Sequence, residues 1–297
     1  AEEEANNPEF AKSLAEMADV YVNDAFGSAH RAHASTEGIT HFLPAVAGLL
    51  MEREVTALST LMQKPPKPFH TVIGGSKVSG KLEVLESLLS RCQAILVGGG
   101  MANTFLAARG LALGKSLVEN EQLENAERIV AEARRKRVRF MLPTDVVIAA
   151  QVHPRSQRQV VPVDQVPKDW SVVDIGPQTM AAYTEHLAKA KTIFWNGPLG
   201  IFEITPFADA TNAMARFLAE RSKAGVVTVV GGGDSVAAVE QLGLVDHMSH
   251  VSTGGGASLE FVEGKTLPGV AALLDIDAQA TPKAPPKAKP RATAKRR

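Results

Sequence analysis

The stretch Thr71-Val72-Ile73-Gly74-Gly75-Ser76-Lys77-Val78-Ser79-Gly80-Lys81-Leu82 joins a short apolar run to two glycines and then to the start of a helical pattern. The same phrase returns along the chain. Ala94 to Val97 runs into Gly98-Gly99-Gly100, and Lys191 to Trp195 into Asn196-Gly197-Pro198. Val226 to Val230 runs into Gly231-Gly232-Gly233, and Val251-Ser252-Thr253 into Gly254-Gly255-Gly256. Short continuous apolar strands alternating with helices predict an α/β fold with a doubly wound parallel sheet covered on both faces. Ligands of such sheets bind outside the carboxyl ends of the strands, where these glycines stand. Glycine lets the backbone approach a ligand closely, and each following helix turns free N–H groups toward an anion. Any one of these triplets could be a tight turn; their recurrence after strands favours phosphate or nucleotide binding.

The opening stretch almost completes the phosphate-loop pattern G-x-x-x-x-G-K-[ST] from Gly75 to Leu82. Leu82, however, lacks the hydroxyl that would hold Mg²⁺, so a standard phosphate loop is rejected. A helix beginning near Ser76 would put Lys77 and Lys81 on one face at its N-terminus, two cations suited to a polyphosphate. Asp234-Ser235, after the third glycine triplet, reads either as an N-cap or as a Mg²⁺ site, and the two uses are compatible. Glu203, after Trp195-Asn196-Gly197-Pro198, is either a surface acid or an acceptor for ribose hydroxyls. The eight histidines show no metal-ligand spacing, and G-x-S-x-G is absent, which speaks against metal-hydrolase and serine-hydrolase chemistry.

Before this repeat come a helix over Pro8–Ala18, a strand at Val20-Tyr21-Val22 and a polar loop, Asn23 to His33, rich in ionisable groups. A long amphipathic helix is predicted from Pro44 to Gln63, ending at Lys64-Pro65-Pro66-Lys67-Pro68. The domain boundary is placed along it. This gives 1–43 as the remnant of a first domain, 44–67 as interdomain helix and linker, and 68–256 as a nucleotide domain. A return segment over 257–275 and a basic tail over 276–297 complete the division.

The chain has 297 residues, 45% apolar and 22% charged, the composition of a globular protein rather than a disordered one. Its net charge of zero conceals seven basic residues against one acid over 276–297, leaving 25 basic and 31 acidic residues in the remainder. That tail, nearly all Pro, Ala, Lys and Arg, is expected to be disordered, either as a solvated extension or as an arm for an acidic partner. The single cysteine, Cys92, leaves no intramolecular disulfide and fits a reducing, cytoplasmic setting. No apolar run is long enough for a membrane span, and the acidic start is unlike a signal peptide.

With these residues in place, the chain from about Glu2 to Leu274 resembles phosphoglycerate kinases. The resemblance rests on Val22 to Arg31, Gly74 to Val78, Gly98 to Ala102, Trp195 to Glu203, Gly231 to Ser235, Ser252 to Glu260 and Glu263 to Val270. It implies a Rossmann-like nucleotide domain facing a second α/β domain. It further implies reversible, Mg²⁺-dependent phosphoryl transfer between 1,3-bisphosphoglycerate and ADP, giving 3-phosphoglycerate and ATP, by a monomer. By the same resemblance Arg31, with His30 beside it, belongs to the phosphoglycerate patch. Lys77, Gly232 and Gly255 attend the transferring group. Lys81, Asn196, Gly232, Gly233 and Ser235 hold nucleotide phosphates, and Gly99, Gly100 and Gly176 the adenosine. Glu203 takes the ribose and Asp234 the Mg²⁺. A general base is not expected, because the nucleophile is an already ionised phosphate or carboxylate oxygen. The family pattern starts with a further hundred-plus residues that carry most of the phosphoglycerate patch. The alternative is therefore a catalytically silent nucleotide-binding module, and the segment alone is expected to bind Mg-ADP without turnover.

Overall fold

The computed structural model describes residues 1–273, so the basic tail predicted over 276–297 lies outside the described residues. Helix α1 (Pro8–Ala15) begins where the Asn7 side chain accepts the N–H groups of Glu9 and Phe10. Strand β1 (Tyr21–Asn23) pairs in parallel with β2 (Ala45–Ala47). That pairing corrects the expected helix start: residues following Pro44 are extended, and α2 (Leu49–Gln63) starts later. Its start is fixed from a distance, since Asp24 accepts the N–H groups of Leu50 and Met51 at 2.7 and 2.9 Å. An N-cap supplied by a residue 26 positions away leaves no trace in local sequence.

The chain then lays down β3 (Phe69–Ile73), α3 (Leu82–Leu88), β4 (Ala94–Val97), α4 (Gly99–Ala107), α5 (Leu123–Arg135) and β5 (Arg139–Met141). Next come β6 (Asp145–Ala149), β7 (Arg158–Pro162), β8 (Ser171–Ile175), α6 (Pro177–Leu187) and β9 (Thr192–Asn196). The last elements are α7 (Asp209–Lys223), β10 (Val227–Gly231), α8 (Gly233–Gln241), β11 (His250–Val251), α9 (Gly256–Glu263) and α10 (Pro268–Ala271). A six-stranded sheet has the order β11-β10-β9-β3-β4-β5, and every neighbouring pair is parallel.

Alternating side chains send Phe69, Ile73, Ile95 and Val97 into one apolar layer and Val72, Leu96, Ile193 and Trp195 into the other. Both faces are thus covered, as continuous apolar strands require. The strand order reverses beside β3, with β4 on one side and β9 on the other, which opens a crevice at their carboxyl ends.

The antiparallel sheet β7-β6-β8 was not anticipated. Its outer strand, Arg158–Pro162, is largely exposed and carries no glycine punctuation. The N-terminal segment packs onto the sheet domain: Phe26 is fully buried, and Ala29 O accepts the Gly269 N–H at 2.8 Å. Among the described residues, no helix is long and apolar enough to cross a membrane.

Candidate functional site

The crevice is built from main chain. Gly74 and Gly75 donate their N–H groups to Asn196 O and Pro198 O at 2.9 and 2.8 Å, and Gly99 donates to Leu199 O at 2.9 Å. A Cβ on Gly74 would lie 2.1 Å from Pro198 O, and one on Gly99 2.6 Å from Gly75 O. Gly99 and Gly197 also take positive φ, 66° and 96°. Three strand ends therefore meet backbone to backbone at these glycines.

Lys81 enters this junction from the start of α3. Its Nζ donates to Gly74 O at 2.8 Å, Asn196 O at 3.0 Å and Asn196 Oδ1 at 2.6 Å. The residue is partly exposed, but its ammonium is enclosed. Burial pushes its pKa down to about 8, a fall that the charge of Asp234 partly offsets. Asn196 keeps its Nδ2 buried with no partner, a donor turned toward Gly231 and Gly232. An orphaned donor beside a glycine loop is what a phosphate oxygen would satisfy.

Lys77 does not share a helix face with Lys81 as expected. Residues 76–78 form a bend, followed by a short 3₁₀ turn over Ser79–Lys81. The Glu119 carboxylate accepts the N–H groups of Val78 and Ser79 and holds the segment off the helix. Lys77 is left exposed, with no ion pair among the described residues.

A cavity of about 300 Å³ opens from this junction, with Gly75, Gly99, Gly100, Asp174, Glu203 and Asp234 among its lining residues. Asp234 stands in the first turn of α8, whose cap, Gly232, has φ of 85°. The leading N–H groups of that helix face outward, and Gly233 has open space beside its Cα. Ser235 is fully buried, and its Oγ accepts the Gly197 N–H at 2.5 Å, so its hydroxyl orders the loop.

Gly176 borders a different cavity, of about 480 Å³, between β7, α6 and α7. The charged groups there, Arg158 and Asp209, pair with each other at 3.3 Å and offer no free charge to a phosphate. We therefore place the ligand in the smaller cavity.

Three buried carboxylates escaped the sequence reading: Glu54, Asp174 and Asp145, the last accepting the Gln178 and Thr179 N–H groups at the head of α6. Glu54, on the buried face of α2, accepts the Thr253 N–H at 2.6 Å, the Thr253 hydroxyl at 2.9 Å and pairs with His250 Nε2 at 2.8 Å. Burial would raise its pKa, but the hydrogen bonds from His250 and Thr253 outweigh it and hold Glu54 below the ordinary carboxylate range. An acid within the stripe Met51, Leu58, Leu61 was the available signal. Asp174, on β8, is also buried, and burial pushes its pKa up to about 7, with Asp209 adding to the rise.

Glu54 fixes the loop that carries Gly254, Gly255 and Gly256. Gly255 caps α9 at φ 48°, open to space on its Cβ side. His30 comes against this loop: a Cβ on Gly256 would lie 3.6 Å from His30 Nε2, while His30 Nδ1 is buried without a partner. Arg31 beside it is exposed. The 26–31 segment and the glycine loop thus meet at one edge.

The sequence profile of the family described as phosphoglycerate kinase matches residues 1–265. A phosphoglycerate kinase of Chloroflexus aggregans is 56% identical over 275 residues, covering 93% of this chain and 69% of that protein. One from Pelotomaculum thermopropionicum is 56% identical over 274 residues, again 69% of its length. The structure of phosphoglycerate kinase from Coxiella burnetii aligns with a TM-score of 0.86 and 46% identity over 92% of this chain and 69% of the other. That from Pyrococcus horikoshii gives 0.78 and 31% over 92% and 70%. Likeness of this extent, in sequence and in backbone, accounts for a main-chain crevice at the strand-order reversal: the chain belongs to the phosphoglycerate kinase family.

Proposed function

We propose that the crevice binds Mg-ADP or Mg-ATP for reversible phosphoryl transfer with 1,3-bisphosphoglycerate and 3-phosphoglycerate. The carrying observation is the backbone junction of Gly74, Gly99 and Gly197 with the Lys81 ammonium in it, beside a cavity lined by Gly75, Gly99, Asp234 and Glu203. The phosphates lie against the start of α8 and the free Asn196 Nδ2, and Glu203 accepts the ribose hydroxyls. Asp234, an acid on the cavity wall at the start of α8, suits Mg²⁺ held by one carboxylate together with phosphate oxygens and water. Bound there, Mg²⁺ would neutralise charge on the phosphate oxygens.

The chain's own groups do the remaining work. Lys77, exposed and unpaired, is free to follow the transferring group, and the N–H groups at Gly232 and Gly255 aim donors at its oxygens. Arg31 supplies a cation on the phosphoglycerate side, with His30 beside it. Neither nucleophile needs deprotonation, so positioning and charge neutralisation carry the reaction. In this reading the protein acts as a cytoplasmic monomer, and 1–43, 44–67, 68–256 and 257–275 stand as its successive parts. Calorimetric titration with ADP tests the reading: binding should strengthen with Mg²⁺, and Asp234→Asn should erase that gain. Equal affinity with and without Mg²⁺ in both proteins would overturn the assignment of Asp234.

A further inference from the structure

We infer that Asp174 is a positioning residue for the ribose end of the nucleotide pocket, its carboxylate fixing the 197–208 loop that presents Glu203. The inference rests on the nucleotide reading above and goes beyond it to a residue that touches the loop rather than the reacting atoms.

The loop leaves β9 at Asn196 and must reach α7 at Asp209 while holding Glu203 against the cavity. Asp174 bonds to the helix just beyond this loop and packs against the loop at Gly200. One carboxylate oxygen, Oδ2, accepts the Ala210 N–H at 2.9 Å and so caps α7 from a neighbouring strand. The other, Oδ1, accepts the Ile175 N–H at 2.9 Å and lies where Gly200 passes. A Cβ on Gly200 would be 2.4 Å from that oxygen and 2.5 Å from Phe207 O, so the loop is seated directly on the carboxylate. A parallel bond, Ile201 N–H to Val173 O at 2.9 Å, ties the next residue to the same strand. Glu203 follows two residues later, and both it and Asp174 line the cavity.

The chemistry asks for a carboxylate at this place. If one N–H had to be met, a hydroxyl would serve, as Thr211 Oγ1 does for Leu199 N–H at 3.0 Å. Asp174 meets two, one on each oxygen, and asparagine would turn an NH₂ toward one of them. The site is also unfavourable for a charge. Asp174 is 2% exposed. Asp209 stands at the head of α7, paired with Arg158 of β7, Asp145 lies on the adjoining β6, and Glu203 and Asp234 share the cavity. A buried acid among so many others is costly, and here its two oxygens hold strand, loop and helix in one register.

The test compares ADP with 2′,3′-dideoxy-ADP by calorimetry at pH 8. Two charge-assisted hydrogen bonds from ribose to Glu203 should favour ADP by roughly tenfold or more in the unaltered protein. Asp174→Asn should weaken ADP and leave dideoxy-ADP nearly unchanged, bringing the ratio within about threefold. Gly200→Ala, which disturbs the same contact from the loop side, should do likewise and serves if Asp174→Asn does not fold. A folded variant of either kind that keeps the full preference overturns the role given to Asp174 while the nucleotide site stands. If the unaltered protein binds both nucleotides equally, or neither, the ribose reading fails and takes this inference with it.

Discussion

Adding ADP at pH 8.5 should draw protons out of solution and onto Lys81. The ammonium is enclosed by three carbonyl-type oxygens, and burial lowers its pKa to about 8, against an ordinary value of 10.5. At pH 8.5 the free protein therefore carries Lys81 about three-quarters neutral, and at pH 7 about one-tenth neutral. Nucleotide phosphates arriving beside it favour the charged form and restore the proton. Binding should take up about 0.75 proton per ADP at pH 8.5 and about 0.1 at pH 7. The phosphate's own last ionisation, near pH ~6, is silent in the higher range.

The assay is calorimetry in a series of buffers with different protonation enthalpies. The slope of observed enthalpy against buffer enthalpy gives the protons taken up. Lys81→Met should flatten that slope, because it removes the amine that takes up the proton. It should also weaken ADP by about tenfold or more through loss of a charged contact. A flat slope for the unaltered protein at pH 8.5, or the same slope in Lys81→Met, would refute the reasoning.

In a full-length context that supplies the further N-terminal residues of the family pattern, Lys77→Ala should lower kcat by about a hundredfold or more while ADP affinity changes less than about threefold, since its contact is made to the transferring group. Stopped turnover assays beside ADP titrations read the two effects separately, and a near-normal kcat refutes the role. Glu54→Leu should destabilise the fold by about 2 kcal/mol, because it removes the acceptor of the Thr253 N–H and hydroxyl and leaves His250 without its carboxylate; urea unfolding measures it. Glu54 is held below its ordinary pKa, so its stabilisation is present at neutral pH and lost as pH falls through the lowered value. Acid unfolding of Glu54→Gln should accordingly be less steep than that of the unaltered protein, and parallel curves would count against it.

The parallel sheet was legible because β3, β4, β9 and β10 each announce themselves twice, by a short apolar run and by the glycines that follow. What escaped was written across the chain rather than along it. Lys77 looked helical from its spacing, but Glu119, some 40 residues on, captures the Val78 and Ser79 N–H groups and holds it off the helix. Likewise α2 could not be started correctly from its own residues, since Asp24 supplies the cap. Strand β7 shows the opposite weakness: Arg158–Pro162 is exposed on nearly every residue, so no burial pattern marks it. Candidate residues on glycine loops could be named from the sequence, whereas the acids buried behind those loops, Glu54 and Asp174, could not. A lone acid in an apolar stretch acquires meaning only when its partners are known.

The junction of Gly74, Gly99 and Gly197 also bears on how such a site can change. A binding site ordinarily alters its preferences by exchanging side chains, one substitution at a time. At these three glycines there is none to exchange. Any residue larger than glycine at position 74, 99 or 197 brings its first carbon within 2.6 Å of a carbonyl oxygen already in place. New preferences must therefore arise where side chains line the cavity, as at Leu117, Val172 or Glu203. That wall is free to vary, and the glycine junction is locked by geometry.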